Sequence, residues 1–483
     1  MKKKEKSYGL LKGTLIFIII AFVLTWVIPN GTLSSTGLVN DGMLRLGIYD
    51  IGDLFYNAFS VSTFKIMVLF AIAALYGVIT RTQGYERIVS GIAKKLMNHK
   101  KITVVVISVI LAALTSVLTQ TFVVFIFVPF IISILNRMKL DKMTILATTF
   151  GSILVGIMGA TYGTEGIQML NYYFGYTSTL PYTMPALLIR AGILVVGLVL
   201  FNFFTLAHMS KVDKKAESID LFEVKVEESR QNKTKSMIPI IVILVVLFVL
   251  VILGFMDWGA NFGIEVFDDF HSVVTEDIKI EASSEGGDDF FFLSDLLGTS
   301  APAFGLWSNL MIFSVILIFT VILGLCYRFK LDEFFDAIKD GIKKTFLPSA
   351  CIIGAYMLLM IVYRSPYVVT IVGRLLSLTD GFNIATMTLS SLILNIFHTD
   401  LSYTGFVVAS YLPVEYADYI NPVYTMLTTL YGFVQFFIPT SVVLGIGLVS
   451  LKVKFSEWLK YIWRFLVGMF ICLLVIFILM SVL

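Results

Sequence analysis

IATMTLSSLILNIFHTDLSYTGFVVASYLP, residues 384–413, is the stretch whose reading decides the fold. Both arms are apolar. The middle, His398-Thr-Asp-Leu-Ser-Tyr-Thr-Gly405, is the densest polar cluster in any apolar context of the chain. A helix needs about 20 apolar residues to cross a bilayer, and each arm falls short of that. The sequence therefore predicts a re-entrant helical hairpin. Its polar tip must be buried in protein or line a wet cavity, because lipid cannot satisfy an irregular backbone. Residues 102–136 repeat the design around Thr115-Ser-Val-Leu-Thr-Gln-Thr121.

Composition sets the surroundings of these two segments. The chain has 483 residues, 58% apolar and 14% charged, with a mean hydropathy of +0.90. An average soluble domain is roughly 45–50% apolar and about 25% charged. A soluble enzyme is excluded, and apolar runs from end to end exclude a single anchor on a globular domain. A net charge of +3 does not suggest a nucleic-acid partner. Cys326, Cys351 and Cys472 lie in apolar runs without C-x-x-C spacing and read as packing residues. No small-residue cleavage site follows the Lys-rich start, so residues 14–29 read as a retained first span. Further full spans are expected at 64–80, 143–161, 185–208, 238–256, 308–326, 346–363, 423–444 and 458–480. Trp458 and Trp463 beside Lys460 read as interfacial anchors.

Loop charges orient the spans. Residues 81–101 carry Arg81, Arg87, Lys94, Lys95, Lys100 and Lys101 against Glu86 alone. From Asp257 to Asp295 acids outnumber the single base, Lys279, eleven to one. The positive-inside rule then places the N-terminus and the loops at Arg81, Arg137, Lys211, Arg328 and Lys452 in the cytoplasm of a multi-pass plasma-membrane protein. The orientation closes only if 102–136 starts and ends inside while 384–413 starts and ends outside.

The order of parts also repeats. Leu146-Ala-Thr-Thr-Phe-Gly151 echoes Leu427-Thr-Thr-Leu-Tyr-Gly432, and the amphipathic stretch around Gly91 falls on Gly373 within one residue of that offset. Residues 64–208 run as span, amphipathic segment, hairpin (102–136), broken helix (143–174) and closing span. Residues 346–483 run likewise, with hairpin 384–413 and broken helix 423–450. Ahead of them, 1–63 holds the first span and an external loop. Between them lie a cytoplasmic linker, 209–237, and scaffold spans, 238–345, with an acidic external loop at 257–300. By loop charge the copies are inverted, an arrangement that in secondary transporters places the site where the copies meet.

Four polar corners are candidates for that site. The first tip offers Ser116, Thr119, Gln120 and Thr121; the competing reading is that its hydroxyls bond back to their own helix. The first broken helix carries four glycines with Thr161, Gly163, Thr164 and Glu165, where freed helix ends can hold a charged ligand; Glu165 could instead sit at the outer interface. The second tip offers His398, Thr399, Asp400, Ser402, Tyr403 and Thr404. Asp400 leads, since a buried carboxylate needs a cation, a proton or a donor cluster, while His398 suits proton coupling or a structural role. In the second broken helix Pro439 removes a donor and presents Thr440 and Ser441, unless it is a simple kink.

Several segments resemble YfcC-type permeases: Thr25-Trp-Val-Ile-Pro29 with Gly31, Gly77-Val-Ile-Thr with Gly84, the hairpin running into Val128-Pro129, and Leu140-Asp-Lys-Met143. The most specific is Pro439-Thr-Ser441 followed by Glu457-Trp-Leu-Lys460. The resemblance covers nearly the whole chain outside 211–235 and the acidic loop. It implies membership with the four-carbon dicarboxylate carriers in the ion transporter superfamily. It also implies a scaffold, a transport domain of two hairpins and two broken helices, homodimers and elevator-type motion. Members are linked to dicarboxylates, and some relatives exchange arginine for ornithine. The chain departs from the pattern at both tips. Relatives carry an acidic pair where Leu118-Thr-Gln120 stands, and a Ser/Gly run where His398-Thr-Asp-Leu-Ser-Tyr403 stands, so substrate and coupling ion do not carry over.

The expected function is secondary active transport of a small polar metabolite, an amino acid (a basic one, by exchange, among the options) or an organic carboxylate. A four-carbon dicarboxylate carrier is the alternative, and a gated channel ranks below both. Two acids, Glu165 and Asp400, with no intramembrane Arg assigned, favour a zwitterionic or cationic substrate. No cofactor is expected beyond a coupling Na+ or H+. The expected partners are the substrate, the bilayer and, by resemblance, a second copy of the chain. Enzymatic readings lack support: His-Glu-x-x-His and Gly-x-x-x-x-Gly-Lys-Ser/Thr are both absent.

Overall fold

The computed structural model describes residues 9–163, 165–174, 184–212, 236–273, 275 and 302–482. Thr164, most of the 209–237 linker and the core of the acidic loop lie outside the described residues. Among those described, seven helices are long and apolar enough to cross a membrane: Asp50–Ile79, Gln83–Val117, Ala186–Met209, Ile238–Phe255, Asn309–Cys326, Leu331–Arg364 and Phe455–Ser481. Helix Phe455–Val482 shows the logic. Ile462, Phe465, Met469, Leu473 and Phe477 form a face no more than 1% exposed, while Val467, Ile471, Val475 and Ile478 on the opposite face are each at least 51% exposed. Two apolar faces, one packed and one bare, suit a helix between protein and lipid and no helix in water. The chain is an all-α polytopic membrane protein.

Helices at matching places in the two halves of the chain pair antiparallel. Lys65 meets Tyr356 while Asp53 meets Arg364, so Phe346–Arg364 runs against the direction of Asp50–Ile79. In the broken helices, Phe174 meets Tyr424 edge-on and Gly432 abuts Met158. In the closing spans, Thr205 meets Tyr461 and Phe201 meets Phe465. Glycine permits the central crossing: a Cβ at Gly432 would lie 2.3 Å from the Met158 backbone.

Each half of the chain contains a hairpin followed by an interrupted helix. The first hairpin is Lys100–Val117, a tight 3-10 segment Thr121–Ile126, and Val128–Arg137. It packs on Ser152–Met158, and the helix resumes at Glu165–Tyr173. The second is Ile384–Phe397 and Leu401–Val408, packed on Ile420–Val434, which resumes at Val442–Leu451.

Four details differ from the sequence reading. The 64–80 span begins earlier, as Asp50–Ile79. The loop before it holds an antiparallel strand pair, Asn30–Ser34 with Gly37–Gly42, turned at Gly37 with φ +106°. Trp458 is not an interfacial anchor: it is fully buried and its Nε1 donates to the Phe436 carbonyl at 2.8 Å. The first hairpin is also deeper than its arms suggested. Its tip reaches the end of Ile238–Phe255, where the Thr119 N–H donates to the Phe255 carbonyl at 2.8 Å. The 3-10 segment accounts for part of this, rising about 2.0 Å per residue against about 1.5 Å in an α-helix.

Candidate functional site

The first tip and first break are stitched to each other. The Ser116 carbonyl accepts from the Thr161 and Gly163 N–H groups at 2.9 and 3.0 Å. The Ser116 hydroxyl donates to the Gly159 carbonyl at 2.9 Å and lies 3.0 Å from Thr161 Oγ1. Gly163 is required here, since a Cβ would stand 2.4 Å from the Leu118 carbonyl oxygen. Ser116, Thr161 and Gly163 therefore form a clasp, with their polar groups used internally. Thr119 is buried.

A cleft opens where the four corners meet. Gln120 and Thr121 line it from the first tip, and Glu165 and Gly166 from the first break. Thr399, Asp400 and Leu401 contribute from the second tip, with Gln435, Val442 and Val443 from the second break. Phe122 and Ile157 make part of the wall apolar, and Lys65, Tyr356 and Tyr431 complete it. Two further clefts continue from this one. Val61, Phe64 and Asn309 join Lys65, Gln120 and Glu165 in the next, and Val61 leads on to Tyr363, Arg364 and Tyr403.

Charge concentrates at one point. Lys65 Nζ lies 3.3 Å from Glu165 Oε2 and 3.7 Å from Asp400 Oδ2, and sits over the Tyr356 ring at 5.2 Å from its centroid. The Lys65 and Asp400 side chains are each 16% exposed, Glu165 42%. Asp400 also accepts from the Tyr356 hydroxyl at 2.8 Å and from the Ser402 N–H at 3.1 Å, capping Leu401–Val408. Partly buried carboxylates require such partners, because an ion stripped of water is costly until it is paired. Thr399 is held by the Ala355 carbonyl and accepts from the Tyr431 hydroxyl.

The remaining candidates lie away from the cleft. His398 is buried beside Thr404, 3.4 Å from its hydroxyl, and Thr404 also reaches Asn395. Ser402 serves Asp400 through its backbone. Tyr403 lines the outermost cleft and packs edge-on against Tyr363. Ser441 caps Val442–Leu451, and Thr440 is buried with no partner for its hydroxyl.

The sequence reading missed Lys65, Tyr356, Tyr431 and Gln435. Lys65 carried a signal: a charge inside an apolar helix is a functional candidate by default. Starting the span at residue 64 put Lys65 at its edge and hid that signal. The premise of two acids with no intramembrane Arg also fails: Arg190 is buried within Ala186–Met209 over the Tyr424 ring, and Lys65 places a cation beside both acids. Gln435 is only 3% exposed, and its Nε2 has no hydrogen-bond partner among the described residues.

No family model matches the chain, and no curated protein matches it. Among solved structures it is similar to the Alcanivorax borkumensis YdaH transporter, described as having an unusual topology, at 11% identity and a TM-score of 0.38 over 98% of each chain. At that distance the likeness bears on neither substrate nor mechanism.

Proposed function

We propose that this protein is a secondary active transporter of a small polar metabolite, an amino acid or an organic carboxylate, working by alternating access. The observation that carries the reading is the meeting of both tips and both breaks at one cleft that has open valences of each kind. Gln435 Nε2 is a buried donor without a partner, and Glu165 is a half-exposed acceptor. An unmade hydrogen bond in a buried place costs about 1–3 kcal/mol, so a solute that completes it gains affinity. An α-amino acid supplies both complements, its carboxylate to the donor and its ammonium to the acid.

A four-carbon dicarboxylate carrier is the second reading, and Lys65 favours it by placing a cation at the cleft. The motif resemblance to YfcC-type permeases supports an elevator-type motion of the hairpins and broken helices, and a homodimer. Proteoliposomes offered labelled amino acids and C4 dicarboxylates, with and without Na+ and proton gradients, test the reading. Saturable uptake with counterflow of an amino acid is expected. Saturable dicarboxylate uptake alone selects the second reading. Flux that never saturates identifies a channel, and no solute movement overturns the proposal.

A further inference from the structure

Lys65 belongs to neither hairpin and to neither broken helix. It stands on Asp50–Ile79, a span packed against Asn309–Cys326 and Leu331–Ile342. From there its ammonium reaches one acid of each repeat: Glu165 at the start of the resumed helix, and Asp400 at the opposite tip. Two carboxylates brought to one cleft, Asp400 largely buried and Glu165 half-exposed, call for a positive charge between them. In this chain the charge is covalently attached to the protein.

We propose that Lys65 is a tethered counter-cation, holding the position between Glu165 and Asp400 that a free coupling ion would otherwise take, so that the carrier binds no Na+ there. A metal ion touching both carboxylates would have to come within contact distance of the ammonium, where like charges repel. The Tyr356 ring and hydroxyl fix the arrangement, the ring facing Lys65 and the hydroxyl bonded to Asp400. Removing the ammonium leaves the two acids and their donors in place around a vacated cation position. The inference rests on the carrier reading for its meaning, but its test uses no transported solute.

The full-length protein, purified in nanodiscs, is titrated with NaCl against choline chloride at constant ionic strength. Both 22Na+ binding and thermal unfolding are followed. The wild type should show no saturable response to Na+. Lys65→Ala, or Lys65→Met where alanine fails to fold, should gain saturable 22Na+ binding and Na+-dependent stabilisation. Adding Asp400→Asn to that variant should remove the gain. Saturable wild-type 22Na+ binding that Asp400→Asn abolishes overturns the proposal, and so does a folded Lys65 variant with no Na+ response. A proteoliposome screen in which nothing is transported counts against the carrier reading and leaves this result standing.

Discussion

The two junctions between tip and break share an architecture and differ in what their polar groups do. At the first, the Ser116 hydroxyl and carbonyl bond to Gly159, Thr161 and Gly163, and the clasp is complete in itself. At the second, Gln435 Nε2 at the cleft and Thr440 Oγ1 away from it are buried without partners among the described residues. The comparison teaches that similar folds can serve opposite ends. A junction whose hydrogen bonds close internally stiffens the frame, while one with open valences at a cleft is available to a ligand.

The largest effect is expected at Asp400, which ties the second tip to Lys65 and Tyr356. Asp400→Asn should cut transport at least about tenfold while membrane insertion, checked by size-exclusion profile, is kept. Breaking one side of a buried ion pair costs about 3–5 kcal/mol, enough to disturb the site without dissolving a polytopic fold. Normal transport by this variant would show that the charge meeting point is scaffolding only.

Gln435→Ala sharpens the contrast directly. Its Nε2 loses no protein partner, so thermal stability should hold while KM for the transported solute rises about tenfold, the equivalent of about 1.4 kcal/mol. Ser116→Ala should do the reverse, lowering stability by about 1–3 kcal/mol in thermal unfolding and leaving KM alone. If the two phenotypes were exchanged, the assignment of roles would be backwards.

The smallest effect concerns helix starts. Asp141 caps Lys142–Leu146, accepting from the Met143 and Thr144 N–H groups, whereas Tyr419 gives Ile420–Val434 no side-chain cap. Burial works to raise the Asp141 carboxyl, but hydrogen bonds from His208 and Thr144 outweigh it and hold the group below its usual 3.8. A depressed folded-state value means stability that is present above about pH 4 and lost as pH falls through the lower, folded value. Asp141→Asn should flatten that acid limb in unfolding measured from pH 7 to pH 3, and an unchanged limb would remove Asp141 from the account.

Much of the fold was legible because polar residues inside apolar runs stand out. His398 to Gly405 and Gly156 to Gly166 both mark places where a helix stops. Other features were invisible for physical reasons. The first hairpin's depth depends on a 3-10 stretch that periodicity does not reveal. Tyr356, Tyr431 and Gln435 are ordinary helix residues until packing turns them toward a cleft. His398 illustrates the opposite error: a titratable side chain at the right tip faces Thr404 rather than the cleft. Lys65 was readable in principle and was lost to a boundary set fourteen residues too far along Asp50–Ile79.

Further down that same span, Gly77 and Gly341 bring two helices so close that a Cβ at either would lie 2.3 or 2.1 Å from the opposing carbonyl oxygen. Neither glycine has a side chain that could swing aside. Under the proposed transport reading, a solute carried in that direction would have to be routed around the seam or wait for whole helices to slide past each other.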